Sequence, residues 1–137
     1  MTRYLLDTNI ISEIHKPKPH GAVVAWFDAL RDEQVCVSAV TLCKLQEGIE
    51  RTRKQDATKA GAIEEWVNEV ERLSTVLPMN GRCFRETARI MAGKQRDLFN
   101  DIMIAATARV HGLTVATRNE KDFRHLGVEI INPFKFH

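Results

Sequence analysis

Near its start the chain reads Tyr4-Leu5-Leu6-Asp7-Thr8-Asn9-Ile10-Ile11-Ser12-Glu13. Three apolar residues run together, a carboxylate closes the run, and a hydroxyl and an amide follow that suit a helix start. A short continuous apolar run is the pattern of a strand buried on both faces, as in a parallel sheet. Val35-Cys36-Val37 repeats it, as do Leu113 to Thr117 and Val128 to Ile131, and Thr75 to Leu77 before Pro78 reads as one more short strand. Between these runs the period changes. Val23, Trp26, Phe27 and Leu30 fall at i, i+3, i+4 and i+7, and Ile63, Trp66, Val67, Val70 and Leu73 keep the same helical spacing. Strand runs alternating with helical periods predict an α/β fold. Pro17 and Pro19 separate a first short helix from a second, while Asn80-Gly81 and His111-Gly112 read as turns or helix ends.

The 137 residues suffice for one compact domain over 1–137, and 44% hydrophobic content can furnish its core. No apolar run approaches the roughly 18 residues of a membrane span, and Asp7 arrives before any signal-peptide core, so a cytoplasmic protein is expected. Cys36, Cys43 and Cys83 form no CxxC pair, and their odd number argues for reduced, buried thiols over a disulfide framework. Twenty Lys+Arg against 18 Asp+Glu leave a net charge of +2. Bulk electrostatics therefore cannot hold a nucleic acid, and any polyanion must be gripped locally.

In open α/β sheets, sites form beyond the carboxyl ends of the strands. Asp7 closes the first strand, and Asn119 and Asp122 follow the strand that ends at Thr117. Asp101 heads Ile102-Met103-Ile104-Ala105-Ala106-Thr107-Ala108, a helix apolar enough to be central. Singly, each acid reads equally well as a helix cap or turn residue. Together they repel, and a fold that gathers them generally neutralises them with a hard cation such as Mg²⁺ or Mn²⁺. Metal-assisted phosphoryl hydrolysis is the chemistry that follows.

Leu5-Leu6-Asp7-Thr8-Asn9, Val37-Ser38-Ala39-Val40-Thr41-Leu42, Asp101 to Ala108, Val115-Ala116-Thr117-Arg118-Asn119 with Asp122-Phe123, and Asn132-Pro133-Phe134 occur in this order. In these segments the chain resembles the PIN-domain ribonucleases of the VapC toxin type, from about residue 4 to residue 134. Residues 51–99 match in length and helical character only. The resemblance implies a three-layer α/β/α sandwich around a central parallel sheet, Mg²⁺- or Mn²⁺-dependent cleavage of RNA, a cognate antitoxin and a homodimer. It implies Asp7 and Asp101 as metal ligands, with Asp122 as the last acid and Asn119 supporting it. Thr8, Asn9, Ser38 and Thr117 are the expected donors orienting the carboxylates.

The chain departs from the family pattern at one position. Thr41-Leu42-Cys43-Lys44-Leu45-Gln46-Glu47-Gly48-Ile49 carries Lys44 where the pattern has a glutamate, and Glu47 lies one helical turn further on, roughly 5 Å away. The swap changes the local charge by two units. Two unit charges 4 Å apart are worth about 4 kcal/mol at an effective dielectric near 20, so metal affinity stands to lose several kcal/mol. Three readings are open: the ammonium pairs with Asp7 and Asp101, it binds the scissile phosphate, or it reaches out to solvent.

RNA would be gripped by a basic rim drawn from Lys16, Lys18, His20, Arg51, Arg53, Lys54 and Arg118. The rival reading is a catalytically degenerate PIN domain that binds RNA or an antitoxin without hydrolysis, and Lys44 is its best support. A phosphoacceptor domain would want a second acid beside Asp7, which Asp7-Thr8-Asn9 lacks. No GxxxxGK[ST] or GxSxG motif occurs, and the five histidines lack metal-ligand spacing.

Overall fold

The computed structural model describes residues 1–137. Five strands, β1 (Tyr4–Leu6), β2 (Val35–Ser38), β3 (Thr75–Leu77), β4 (Thr114–Ala116) and β5 (Ile130–Ile131), form one sheet in the order β3-β2-β1-β4-β5. Every pairing is parallel. Seven helices connect them: α1 (Thr8–His15), α2 (Gly21–Asp28), α3 (Ala39–Arg53), α4 (Ala57–Leu73), α5 (Gly81–Met91), α6 (Phe99–His111) and α7 (Glu120–Phe123).

Strand alternation sorts the core into two layers. Leu5, Cys36 and Val115 point to one face, where they pack with Ile90 of α5, Ile102 and Ile104 of α6, and Phe123 of α7. Their neighbours Leu6, Val37 and Ala116 point to the other, against Ile10 and Ile11 of α1, Val23 and Trp26 of α2, Leu45 and Ile49 of α3, and Val67 of α4. The expected three-layer α/β/α sandwich is thus built on a sheet whose strands are apolar on both sides. The chain runs outward from β1 through β2 to β3, then returns to the other side of β1 with β4 and β5. The crevice between the ends of β1 and β4 is the switch point of this topology.

Helix boundaries follow local chemistry. Ser38 caps α3, its hydroxyl accepting from Val40 N at 3.1 Å, and Asn80 caps α5, accepting from Cys83 N at 3.0 Å. Gly112 ends α6 at φ 67°, a left-handed conformation that glycine adopts without strain. Two expectations change. The last strand is only Ile130–Ile131, because Val128 packs into the core beside α6 before pairing begins. Cys36 and Cys83 are buried, but Cys43 lies on the exposed side of α3, since Val40, Thr41, Leu45 and Ile49 take its core face.

Glu13 fastens the end of α1 to the proline-containing loop, accepting from Lys16 Nζ and His20 N, each at 2.9 Å. The lysine bond first, and the backbone N–H second, hold its carboxyl below the ordinary 4.5. A carboxylate depressed in the folded state stabilises it above the unfolded value, and that contribution fades as pH falls through the lowered folded value. Glu13→Gln should therefore destabilise the fold at pH 7, with the difference from the parent shrinking by about pH 3 in urea unfolding. An equal difference at both pH values would show that the ionised form is not what matters.

Candidate active site

Asp7 stands at the end of β1 and at the N-cap of α1, so a single residue is shared by sheet and helix. Its N–H donates to Ala116 O at 2.9 Å, continuing the β1–β4 ladder by one rung. The carboxylate is 1% exposed, and burial of that charge demands partners. Oδ1 accepts from Thr8 N at 2.8 Å, and Oδ2 accepts from the Thr117 hydroxyl at 2.8 Å and from Asn9 Nδ2 at 3.2 Å. Thr117, at the end of β4, is itself held by Asn119 N at 2.9 Å, and Asn9 Oδ1 accepts from Arg118 N at 3.2 Å. Backbone and side chains from both sides of the crevice thus converge on one carboxylate.

Lys44 lies one turn into α3, and its ammonium is 3.9 Å from Asp7 Oδ1. That distance is an ion pair and too long for a hydrogen bond. The lysine side chain is 28% exposed, so it neither points freely into solvent nor is sealed in. Of the two acids that the first reading of Lys44 gives it, the ammonium pairs with Asp7 and makes no ion pair with Asp101. Glu47 offers no replacement carboxylate: it is exposed on the other side of α3, its Oε1 3.8 Å from Cys43 Sγ.

Asp101 is half-buried in the first turn of α6. Burial chiefly, then the negative charges of Asp7 and Asp122, push its carboxyl up from 3.8 to about 6, while Lys44 pulls the other way. Asp101 therefore senses both Asp7 and Asp122 across the crevice. The three acids are not closed into a cage: no three Asp, Glu, His or Cys side chains converge to the spacing of a metal centre. The expected trio of Asp7, Asp101 and Asp122 is brought to one end of the sheet without making such a cluster, and an ammonium stands beside Asp7.

The remaining expected residues divide. Asn9 and Thr117 orient Asp7 directly. Thr8 does so through its backbone N–H, while its hydroxyl is buried without a partner. Ser38 spends its hydroxyl on capping α3 and bonds no carboxylate. Asn119 is exposed at the start of α7, and Asp122 sits in that helix's first turn. Arg118 is exposed, with its guanidinium 4.5 Å from the centre of the Phe134 ring. The expected basic rim is thinned by local pairing. Lys16 pairs with Glu13, Arg53 with Glu50 and Glu64, and the His20 ring caps α2.

The fold is thus a parallel α/β sandwich with a buried carboxylate at its switch point and Asp101 within Coulombic reach of it. The PIN family profile matches residues 4–129, and the chain belongs to that family. It is 38% identical to VapC ribonuclease Y4jK of Sinorhizobium fredii, over 96% of this chain and 97% of that protein. Its fold superposes on the crystal structure of FitAcB from Neisseria gonorrhoeae with a TM-score of 0.84 at 33% identity, covering 97% of this chain and 99% of the other. VapBC-5 from Mycobacterium tuberculosis, a member of the VapBC family of toxin–antitoxin systems, superposes with a TM-score of 0.66 at 27% identity, over 96% and 99% of the two chains. No helix is long and apolar enough to cross a membrane.

The raised carboxyl of Asp101 has a stability consequence whose sign is fixed. Between about pH 4 and 6 the folded state binds more protons than the unfolded state, so folding weakens as pH rises through that window. Above it the ionised carboxylate is a standing cost. Asp101→Asn should stabilise the chain by about 1–2 kcal/mol at pH 7, after allowance for partial solvation, and by little at about pH 4. Urea unfolding at the two pH values checks this, and destabilisation at pH 7 would refute the crowding of charge.

Proposed function

We propose that this chain is a divalent-metal-dependent endoribonuclease, the toxin of a toxin–antitoxin pair, whose metal affinity is lowered by Lys44. One observation carries the reading: Asp7, 1% exposed, has its carboxylate held by three hydrogen bonds at the switch point of the sheet, with Asp101 in Coulombic reach of it and Asp122 in reach of Asp101. Structural carboxylates seldom justify that desolvation, whereas a phosphodiesterase site requires it. The likeness to a VapC ribonuclease along nearly the whole chain supports RNA as substrate. Likeness to VapBC-5 supports a cognate antitoxin. The exposed Phe84 of α5, beside Met91 and Phe99, supports a homodimer.

The donor chemistry suits a hard cation in kind. Asp7, Asp101 and Asp122 offer carboxylate oxygens, Asn119 an amide oxygen, and the unpartnered Thr8 hydroxyl a further neutral one. These residues would hold Mg²⁺ or Mn²⁺, which when bound lowers the pKa of water and neutralises charge developing at phosphorus. The protein's share of the work is positioning. Thr117 and Asn9 fix Oδ2 of Asp7, leaving Oδ1 turned toward Lys44. Hydrolysis joins a water oxygen to phosphorus and breaks one P–O ester bond. Lys44 and Arg118 supply positive charge to the phosphate as it reacts.

Lys44 also weakens the site it serves. A resident ammonium beside Asp7 repels an incoming cation, and the carboxylate expected at that position is missing. Asp7→Asn should abolish RNA cleavage, because an amide cannot supply the lost charge; undiminished cleavage by the purified variant would show that the site lies elsewhere. Lys44→Glu should tighten Mn²⁺ binding at least roughly tenfold in calorimetry and raise cleavage in step. Equal, tight binding by both chains would overturn the role given to Lys44. RNA binding without cleavage by either chain would favour the degenerate binding protein instead.

A further inference from the structure

A groove of about 360 Å³ leads away from the acidic crevice between α1, α3 and α4. Its near end is Lys44, whose ammonium is 3.9 Å from Asp7 Oδ1. Arg51 lines it seven residues further along α3, two turns and roughly 10 Å away on the same helix face. Ser12 of α1 adds an exposed hydroxyl, and His15 and Trp66 complete the wall. No acidic residue lines this groove. Arg51 also borders the depression on the other side of α3, and there Glu47 and Glu50 offset Lys54 and part of the Arg51 charge.

His15 and Trp66 are stacked. Their ring centroids are 4.0 Å apart and their planes 17° from parallel. Trp66 is half-buried and His15 is exposed, so the outer face of the pair opens to solvent. Two rings already ordered by packing form a platform on which a third ring can lie without further ordering of the protein. Cations along one wall, a hydroxyl, and a planar aromatic surface in the same groove match the phosphate, ribose and base of a single-stranded nucleotide. An apolar peptide helix laid in the same groove would instead strand an ammonium and a guanidinium in contact with hydrocarbon.

We infer that this groove is a nucleotide subsite: an unpaired base of the RNA, next to the scissile phosphate, stacks on His15 over Trp66 while Arg51 holds the adjoining phosphate. The inference rests on the ribonuclease reading and adds to it a requirement for unpaired substrate. Duplex RNA keeps its bases stacked on one another and offers His15 none.

Fluorescence anisotropy of a short fluorescein-labelled single-stranded RNA of mixed sequence, with metal chelated so that no cleavage occurs, tests the subsite on the intact chain. His15→Ala and Arg51→Glu should each weaken binding by roughly tenfold, while His15→Phe, which restores a stacking ring without the imidazole, should bind nearly as the parent does. The duplex of the same sequence should bind far more weakly. Trp66 provides a second readout, because Trp26, the other tryptophan, is only 3% exposed: single-stranded RNA should quench the emission and duplex should not. Unchanged affinity in both variants, or failure of His15→Phe to recover, or equal binding of duplex and single strand would overturn the inference. The first of these would leave the groove to a protein partner. Cleavage assayed separately with Mn²⁺ keeps the two proposals apart. Cleavage with His15→Ala affinity unchanged removes the subsite and keeps the nuclease; His15-dependent binding with no cleavage does the reverse.

Discussion

The buried carboxylate of Asp7 is the constraint around which the rest is arranged. A charge 1% exposed in a small α/β domain is tolerated only where several donors meet it, and here they come from three places. The helix that follows supplies Thr8 N and Asn9 Nδ2, the end of the neighbouring strand supplies Thr117 Oγ1, and α3 supplies the Lys44 ammonium as an ion-pair partner without a hydrogen bond. Each donor sits where it does because β1 lies in the middle of the sheet, flanked by β2 and β4. An edge strand would bring a donor from one side only. The switch-point topology and the satisfied carboxylate are therefore two descriptions of one arrangement, and disturbing either disturbs the other.

Much of this was legible in the sequence. Continuous apolar runs at Tyr4–Leu6 and Val35–Val37 announce strands covered on both faces, and the structure sends Leu5 and Leu6 into separate cores. Asp7, Asn9 and Thr117 could be placed together because residues beyond the strand ends of a parallel sheet share one edge. Less legible were facts that depend on rotamers and on the angle of a helix. Sequence spacing puts Lys44 on α3 but leaves its ammonium three destinations, and only packing selects the one beside Asp7. Ser38 occupied a strand end as promised, yet its hydroxyl is consumed by the nearest orphan N–H, that of Val40. Lys16, His20 and Arg53 belonged to a basic rim until local partners took them. His15 and Trp66 lie fifty-one positions apart, on α1 and α4, and no local periodicity links them.

The same arithmetic explains why a net charge of +2 conveys little about a partner. Part of the surface charge is compensated within a turn of helix, as in Arg53 with Glu50 and Arg72 with Glu69, and pairs of that kind contribute little to stability or to long-range attraction. Around the crevice the charge is sorted by sign. Negative potential collects around Asp101, where the charges of Asp7 and Asp122 add to burial in lifting its carboxyl to about 6. Positive charge collects along the groove that begins at Lys44. Lys44 is the one side chain that belongs to both.

That double membership sets a conflict that electrostatics alone can state. A cation in the crevice and a phosphate in the groove would attract each other, so each should favour the other's binding. Lys44 already pairs with Asp7 and therefore supplies part of the attraction to phosphate before any ion arrives, while making the ion's arrival less favourable. A glutamate at the same position would reverse both effects, drawing the ion and repelling the phosphate until the ion is in place. Under the proposed function, the residue at position 44 would thus shift the balance between holding RNA and activating water. On the proposed reading the balance in this chain lies toward holding, because the ammonium already stands beside Asp7 and the groove that begins at Lys44 carries no acid.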